Sequence, residues 1–204
     1  MRTTIKKIAT VLLACVMTIG LGVAIVGCSG GQSDEQAIKA ELDKELGMLK
    51  NPTEENLKAL LGDKISQLDQ VKAMGVDPIE LIQHMFAKFD YSVGDVKVDG
   101  DTATAKLTLT NVDLQSVMND VQSNMTSDSE FMAKVTEAAS SGDMTKVYPL
   151  VFEKMYAGID ASDKLVTSDV EMKLDKKDGQ WTVNEDNMSD IVSSMYGGLD
   201  MSAL

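Results

Sequence analysis

The residues that perform most catalytic and metal chemistry are scarce in this sequence. Its 204 residues include one histidine, His84, and two cysteines, Cys15 and Cys28. Any Ser-His-Asp or Cys-His arrangement would have to use His84. The sequence contains no G-x-S-x-G, H-E-x-x-H or P-loop motif. We therefore expect no catalytic residues, no enzymatic activity and no cofactor.

Basic residues are also few. Lys and Arg number 19 against 32 Asp and Glu, which gives a formal net charge of −13. This balance excludes a nucleic-acid binder, because such proteins need a basic face to meet phosphate. Acidic pairs such as Asp99 with Asp101 and Asp160 with Asp163 lack EF-hand spacing, so we expect solvated turn residues and no metal site. The 44% hydrophobic content is typical of a folded protein and excludes a disordered chain.

The N-terminus has the three parts of a secretory signal. Arg2, Lys6 and Lys7 form a basic start, residues 8–26 carry no charge, and the small residue Gly27 follows. The motif Ile25-Val26-Gly27-Cys28 resembles the signal of bacterial lipoproteins, in which two aliphatic or small residues and a Gly or Ala precede the lipidated cysteine.

The resemblance implies cleavage after Gly27 and attachment of a diacylglycerol to Cys28. Two acyl chains give stable membrane anchoring. The expected location is extracytoplasmic, on the cell membrane, with the membrane as a partner through the lipid. The alternative is an uncleaved transmembrane helix formed by residues 8–26. Both interpretations place the body outside the cytoplasm, because basic residues stay inside.

The sequence divides into a signal peptide (1–27), a flexible tether (28–33) and a single α+β domain with an N-terminal helical extension (34–204). Cleavage would remove three basic and no acidic residues, leaving 16 basic and 32 acidic residues and a net charge of −16. Such a body is repelled by an anionic membrane surface, so we expect a tethered domain that does not lie flat on the bilayer.

Apolar spacing predicts helices at both ends of the body and two β-hairpins. The expected fold class is α+β, a curved antiparallel sheet built from the two hairpins and packed against several helices in a cone-like arrangement. Helices are predicted over 34–50, 53–74, 77–88 and 188–196, and hairpins over 89–110 and 166–183. Residues 113–158 are predicted to form three helices, the first capped by Asp113, the second marked by Phe131 and the third capped by Asp143. Pro149 predicts a kink or a late helix start.

The first hairpin needs one extra residue. The apolar residues of its first strand change from odd positions (Tyr91 and Val93) to even positions (Val96 and Val98). In a regular strand these two sets would face opposite sides of the sheet, so the change predicts a β-bulge at Gly94-Asp95. Taking Asp99-Gly100 as a two-residue turn, we place the bulge opposite Thr104. The predicted partners are Val96 with Ala103, Val93 with Ala105, Tyr91 with Leu107 and Phe89 with Leu109.

These elements resemble the nuclear-transport-factor-2-like, or cystatin-like, α+β fold, and more narrowly bacterial lipoproteins of unknown function that carry it. The resemblance covers residues 53–199 and rests on residues 98–103, on residues 177–183 with Trp181 two positions after Gly179, and on Gly197-Gly198-Leu199. It implies a curved sheet around helices, often enclosing a pocket. Residues expected to line such a pocket are Phe89, Tyr91, Leu107 and Trp181.

Three functions remain open from the sequence. The first is a lipid-anchored, non-enzymatic module that binds a protein partner. The second is a carrier that holds a small apolar ligand between sheet and helices, and the third is a hydrolase or isomerase of unrecognised type.

His84 shares a helix face with Glu80 and Lys88, which favours a solvated surface histidine. The apolar residues near the C-terminus are expected either to fold back onto the domain or to form an apolar partner site; they are Met195, Tyr196, Leu199, Met201 and Leu204.

Overall fold

The computed structural model describes residues 25–26, 33–62, 66 and 68–199. The chain has an α+β fold, in agreement with the sequence, with an open antiparallel sheet packed against helices. The helices are α1 (Asp34–Lys50), α2 (Glu54–Leu61), α3 (Asp69–Lys72), α4 (Pro78–Met85), α5 (Leu114–Ser127), α6 (Ser129–Ser140), α7 (Tyr148–Ala161) and α8 (Met188–Met195). The strands are β1 (Ile25–Val26), β2 (Asp90–Asp99), β3 (Thr102–Val112), β4 (Leu165–Lys177) and β5 (Gln180–Val183).

Capping side chains define where most helices begin. Ser33 caps α1, Thr53 caps α2, and Asp77 caps α4 with Pro78 in its first turn. The predicted helix over 53–74 is wrong in its length, because α2 ends at Leu61 and Gly62 takes a positive φ of 50°. Glycine adopts that conformation without a Cβ penalty and so ends a helix readily.

The three helices predicted over 113–158 are confirmed and correspond to α5, α6 and α7. Asp113, Asp128 and Asp143 each accept a hydrogen bond from a backbone N–H at a helix start. The 3₁₀ turn Met144–Lys146 precedes α7, in which Pro149 lies in the first turn. The late start is therefore confirmed and the kink is not needed, since a proline in the first turn removes no helical hydrogen bond.

The sheet has the strand order β1-β5-β4-β3-β2. The bulge between Val93 and Val96 is confirmed, but the predicted register of β2 against β3 is wrong by two residues. Val96 pairs with Ala105, Val93 with Leu107 and Tyr91 with Leu109, so the bulge lies opposite Lys106 and not Thr104.

The turn explains the shift. Asp99 pairs with Thr102, so the loop is Gly100-Asp101, and Gly100 has a φ of 60°. A glycine with positive φ at the first central position is the arrangement of a type II′ turn. A shift of two keeps every side chain on its predicted face, because side chains alternate with a period of two.

The second hairpin has the predicted turn and register. Asp178 and Gly179 both have positive φ, 52° and 77°, as a type I′ turn requires. Leu174 pairs with Val183 as expected. Its first strand, β4, also pairs with β3 over eleven residues, from Thr102 with Asp175 to Val112 with Leu165.

The helices bury their apolar faces against one face of the sheet. That face carries alternate residues of β3 and β4, such as Ala105, Leu107 and Met172, all nearly inaccessible to solvent. Met195, Tyr196 and Leu199 are also buried, so the end of the described chain folds back onto the domain. The opposite face carries Thr and charged residues, as the alternation predicts.

One buried polar side chain joins three elements. Asn111 of β3 is inaccessible to solvent, and its Nδ2 donates to the carbonyls of Met85 (3.0 Å) and Met195 (2.8 Å). Its Oδ1 accepts from the N–H of Val112 at 2.8 Å. The bonds satisfy carbonyls in the last turns of α4 and α8, which have no partner within their own helices. Asn111 therefore sets both helix ends against β3.

We expect Asn111→Ala to lower the free energy of unfolding by at least about 2 kcal/mol, because it leaves two buried carbonyls without a donor. Thr110→Ala is the matched control: Thr110 is the next residue of β3, and its hydroxyl meets Thr167 on the outer face. Urea unfolding followed by circular dichroism measures both. Equal losses in the two variants would show that Asn111 has no special role.

Acid should destabilise the protein through its capping aspartates. Hydrogen bonds from the Ser116 side chain and backbone hold the pKa of Asp113 below its usual value. A lowered folded-state pKa stabilises the protein above the unfolded pKa, about 3.9, and this contribution is lost as the pH falls through the folded value. Asp113→Asn, which caps without titrating, should lose less stability than the wild type below about pH 4. Parallel curves of stability against pH for the two proteins would contradict the role of this carboxylate.

Candidate functional site

The four residues expected to line a pocket lie in or against the hydrophobic core. Phe89, Leu107 and Trp181 are at most 3% exposed, and Tyr91 is half-buried with its ring stacked on Phe89 at 6.2 Å. The Tyr91 hydroxyl donates to the carbonyl of Asp43 in α1 at 2.7 Å. All four side chains thus belong to the hydrophobic core or pack against it.

A small apolar cavity lies elsewhere in the core, between α4, α5 and α7. Its volume is about 10 Å³. That is the space of about one water, and its apolar wall offers a water no partners. The predicted pocket residues do not contribute to it; its lining is Met85, Leu114, Val117, Met118, Met155, Ile159 and Leu199.

An open groove lies on the surface between β4 and α8. Its volume is about 580 Å³. Its lining carries three carboxylates, on Asp169, Glu171 and Asp190, and one cation, Lys173. The remaining lining residues are Val170, Asn187, Ser193 and Ser194. The groove is wide enough for a peptide or a small ligand, and its polar, acidic lining favours a basic one.

Sequence reasoning missed this groove, because it depends on where β5 ends. The chain leaves the sheet after Val183, and α8 then packs beside β4. Asn187, just before α8, accepts a hydrogen bond from the N–H of Lys173 at 3.0 Å. The alternation of charge along β4 is visible in the sequence, but the distance between β4 and α8 is not.

His84 is less solvated than its helix face predicts. Its side chain is 27% exposed, its Nδ1 lies 2.9 Å from Asp160 Oδ1, and its ring stacks on Tyr156 at 4.3 Å. Lys88 Nζ donates to the carbonyl of Asp160 at 2.9 Å and to that of Ser162. This cluster ties the C-terminal ends of α4 and α7 together, which is a structural role. The carboxylate also orients the imidazole, as in enzymes that use a histidine base.

The start of the body is tied to the second hairpin. Asp34, the first residue of α1, accepts a hydrogen bond from Lys176 of β4 at 2.7 Å. Lys176 also lies over the ring of Trp181, 5.2 Å from its centroid. The hydrogen bond from Lys176 lowers the pKa of Asp34. The N-terminus of α1 therefore lies beside the second hairpin.

The lipidation residues lie outside the described part of the chain. Cleavage at Gly27 and acylation of Cys28 stay predictions, and so does the membrane-spanning alternative over 8–26. Among the described helices, none has the length and apolar character needed to cross a bilayer. The described residues also contain no group of three or more His, Cys, Asp or Glu side chains arranged to hold a metal ion.

A small apolar probe should not bind this protein at one-to-one stoichiometry, because the core cavity is too small for it. Trp181 is the single tryptophan, is fully buried and is one of the residues expected to line a pocket. Its fluorescence should therefore stay unchanged when naphthalene derivatives or fatty acids are titrated in. Saturable quenching of Trp181 at one equivalent would instead support the apolar-carrier function.

Comparison of the chain with known protein families, with curated proteins and with solved structures gave no match.

Proposed function

We propose that this protein is a lipid-anchored, extracytoplasmic interaction module without enzymatic activity. The observation that carries the proposal is the sequence Ile25-Val26-Gly27-Cys28 at the end of an apolar run, a short distance before the folded body. Ser33 already caps α1, so five residues, 29–33, separate the acylated cysteine from the first helix. A tether of that length spans at most about 20 Å.

The tether gives the body a defined orientation on the membrane. Asp34 is bound to Lys176, and the N–H of Lys176 donates to the carbonyl of Asp101 at 2.8 Å. The turns of both hairpins are thus at the end of the sheet where the tether enters, and they face the bilayer. The opposite end, with His84 and the exposed Leu165, faces away from it.

Cleavage after Gly27 also changes one edge of the sheet. The two residues of β1 pair with Trp181 and Gln180 of β5. Both residues of β1 lie in the segment that cleavage removes, so the mature protein lacks this pairing. The outer edge of β5 is then free in the anchored form, close to the membrane.

The groove between β4 and α8 is the surface that best supports an interaction role. It lies on the side of the domain, accessible from solvent, and its lining carries more acidic than basic residues. The body has a net charge of −16 after cleavage, so its field attracts basic partners toward such a surface. An acidic body on a short tether suits the capture of a basic ligand near the membrane.

Acylation can be tested by substituting each cysteine. Cells that produce the full chain are labelled with radioactive palmitate, and the purified protein is weighed by mass spectrometry. We expect the wild type to carry label and to begin at Cys28. Cys28→Ser should lose both label and processing, whereas the control Cys15→Ser, within the apolar run, should retain them. An unlabelled wild-type chain that keeps residues 1–27 would contradict the proposal and support the transmembrane helix.

A further inference from the structure

Part of β4 has a free edge. In the described chain, β5 pairs with β4 from Leu174 to Lys177, and the earlier residues of β4 have a strand neighbour on one side, β3. The side of β4 that faces away from β3 is still covered at Lys173. There the carbonyl of Lys173 accepts a hydrogen bond from the N–H of Asn184 at 2.8 Å, and the N–H of Lys173 donates to the side chain of Asn187. Beyond that point, no strand among the described residues pairs with this side of β4.

The open side carries backbone hydrogen-bonding groups. Alternate residues of an antiparallel strand direct their N–H and C=O to the same side, so Glu171, Asp169 and Thr167 direct theirs as Lys173 does, away from β3. Among the described residues these backbone groups have no hydrogen-bond partner. An unpaired edge of this kind is a template for another strand.

The opposite edge of the sheet, at β2, is covered by a helix. There α1 packs along β2: Lys39 Nζ donates to the carbonyl of Gly94 at 3.4 Å, and the Tyr91 hydroxyl donates to the carbonyl of Asp43. Beside β4, α8 contacts the strand, and the groove of about 580 Å³ opens between them. The groove is thus bounded by β4 and a helix, and its volume is in the range of ligand sites.

The charges that line the groove favour a basic strand as its occupant over a second copy of β4. The groove carries Asp169, Glu171 and Asp190 against Lys173. A second copy of β4, paired antiparallel about Asp169, would place that carboxylate opposite its own equivalent, and like charges directly opposite each other destabilise a sheet. A strand with Lys or Arg opposite Asp169 and Glu171 is favoured by the same rule.

We propose that the free edge of β4 binds an extended basic segment of a partner protein, which adds to the sheet as an antiparallel strand in the groove beside α8. The proposal deepens the interaction function given above and rests on it for the existence of a partner in the cell. Peptide recognition by strand addition takes affinity from main-chain hydrogen bonds and specificity from alternate side chains.

The geometry determines the pattern of the bound segment. Side chains of Asp169 and Glu171 are exposed on the outer face, whereas Val170 is half-buried on the face toward α8. Residues opposite Asp169 and Glu171 should be basic, and those between them small or apolar. Because Asp169 and Glu171 direct their backbone groups to the open edge, the basic residues opposite them form the hydrogen-bonded pairs.

This parity gives a direct test with an alternating Lys-Val octapeptide. Binding to the full chain, purified in a non-ionic detergent, is followed by fluorescence anisotropy of the labelled peptide. N-methylation of the Lys backbone nitrogens should weaken binding at least about tenfold, since several main-chain hydrogen bonds are lost at once. N-methylation of the Val nitrogens, which point away from β4, should weaken it less than about threefold. An alternating Glu-Val octapeptide should not bind.

Variants of the protein test the same edge. Glu171→Pro removes one open-side N–H and leaves the hydrogen bonds to β3 in place, because a proline is tolerated on the free side of an edge strand. It should weaken binding of the Lys-Val peptide at least about fivefold. Glu171→Gln keeps the N–H and removes the charge, so its loss should be smaller and should vanish at high salt. The control Glu137→Gln, an exposed carboxylate on α6, should bind as the wild type does.

Each result decides for or against the proposal. Equal binding of the two N-methylated peptides would overturn strand addition, even if Glu171→Pro failed to fold, since that comparison uses the wild-type protein. Equal binding of the Lys-Val and Glu-Val peptides would overturn the charge argument. The outcome is independent of acylation: loss of palmitate labelling at Cys28 would refute the anchor and leave the peptide result standing, and the reverse also holds.

Discussion

Eleven consecutive residue pairs join β3 to β4, and this ladder decides which side chains of both strands face the helices. With Leu107 opposite Val170 and Ala105 opposite Met172, the apolar residues of the two strands lie on one face. The helices can bury that face only in this register, because a slip of one residue would turn the threonines of β3 inward. Burial of the apolar face is the dominant favourable term in folding.

The core packing and the groove are consequences of the same ladder. On its inner side, Asn111 uses the end of β3 to hold the last turns of α4 and α8, and Gly197 then passes so close that an added Cβ would lie 1.9 Å from the carbonyl oxygen of Val112. On its outer edge, nine residues of β4, 165–173, lie beyond the residues that pair with β5. Tight packing at α8 and an open edge at β4 therefore occur side by side.

The proposed interaction function depends on that edge of the sheet. Phe89, Leu107 and Trp181 are buried members of the hydrophobic core, and Tyr91 packs against it. The surface is acidic, and the groove between β4 and α8 borders backbone groups that have no partner among the described residues. A short tether beside Lys176 holds this groove within reach of the membrane in the proposed anchored form.

Local chemistry made much of the fold predictable. The alternation of β3, the cap and proline at Asp77-Pro78, and the Asp178-Gly179 turn all depend on near neighbours in the chain, and the structure agrees with each. The bulge was predictable for the same reason, since a change of parity at Gly94 shows in the sequence. The register was not, because Asp99-Gly100 and Gly100-Asp101 are both acceptable turns and differ by two residues without changing any face.

The sequence by itself determined the fold class, the inward faces of the strands, the shortage of catalytic residues and the lipoprotein-like motif at Cys28, because each depends on residue type and short spacing. Tertiary structure alone decided which side chains far apart in the sequence form hydrogen bonds with each other. It brought His84 to Asp160, 76 residues away, and Lys176 to Asp34, 142 residues away. It also left β4 open beside α8, because that edge exists only where β5 ends and the following helix packs, and no local pattern encodes the distance between them.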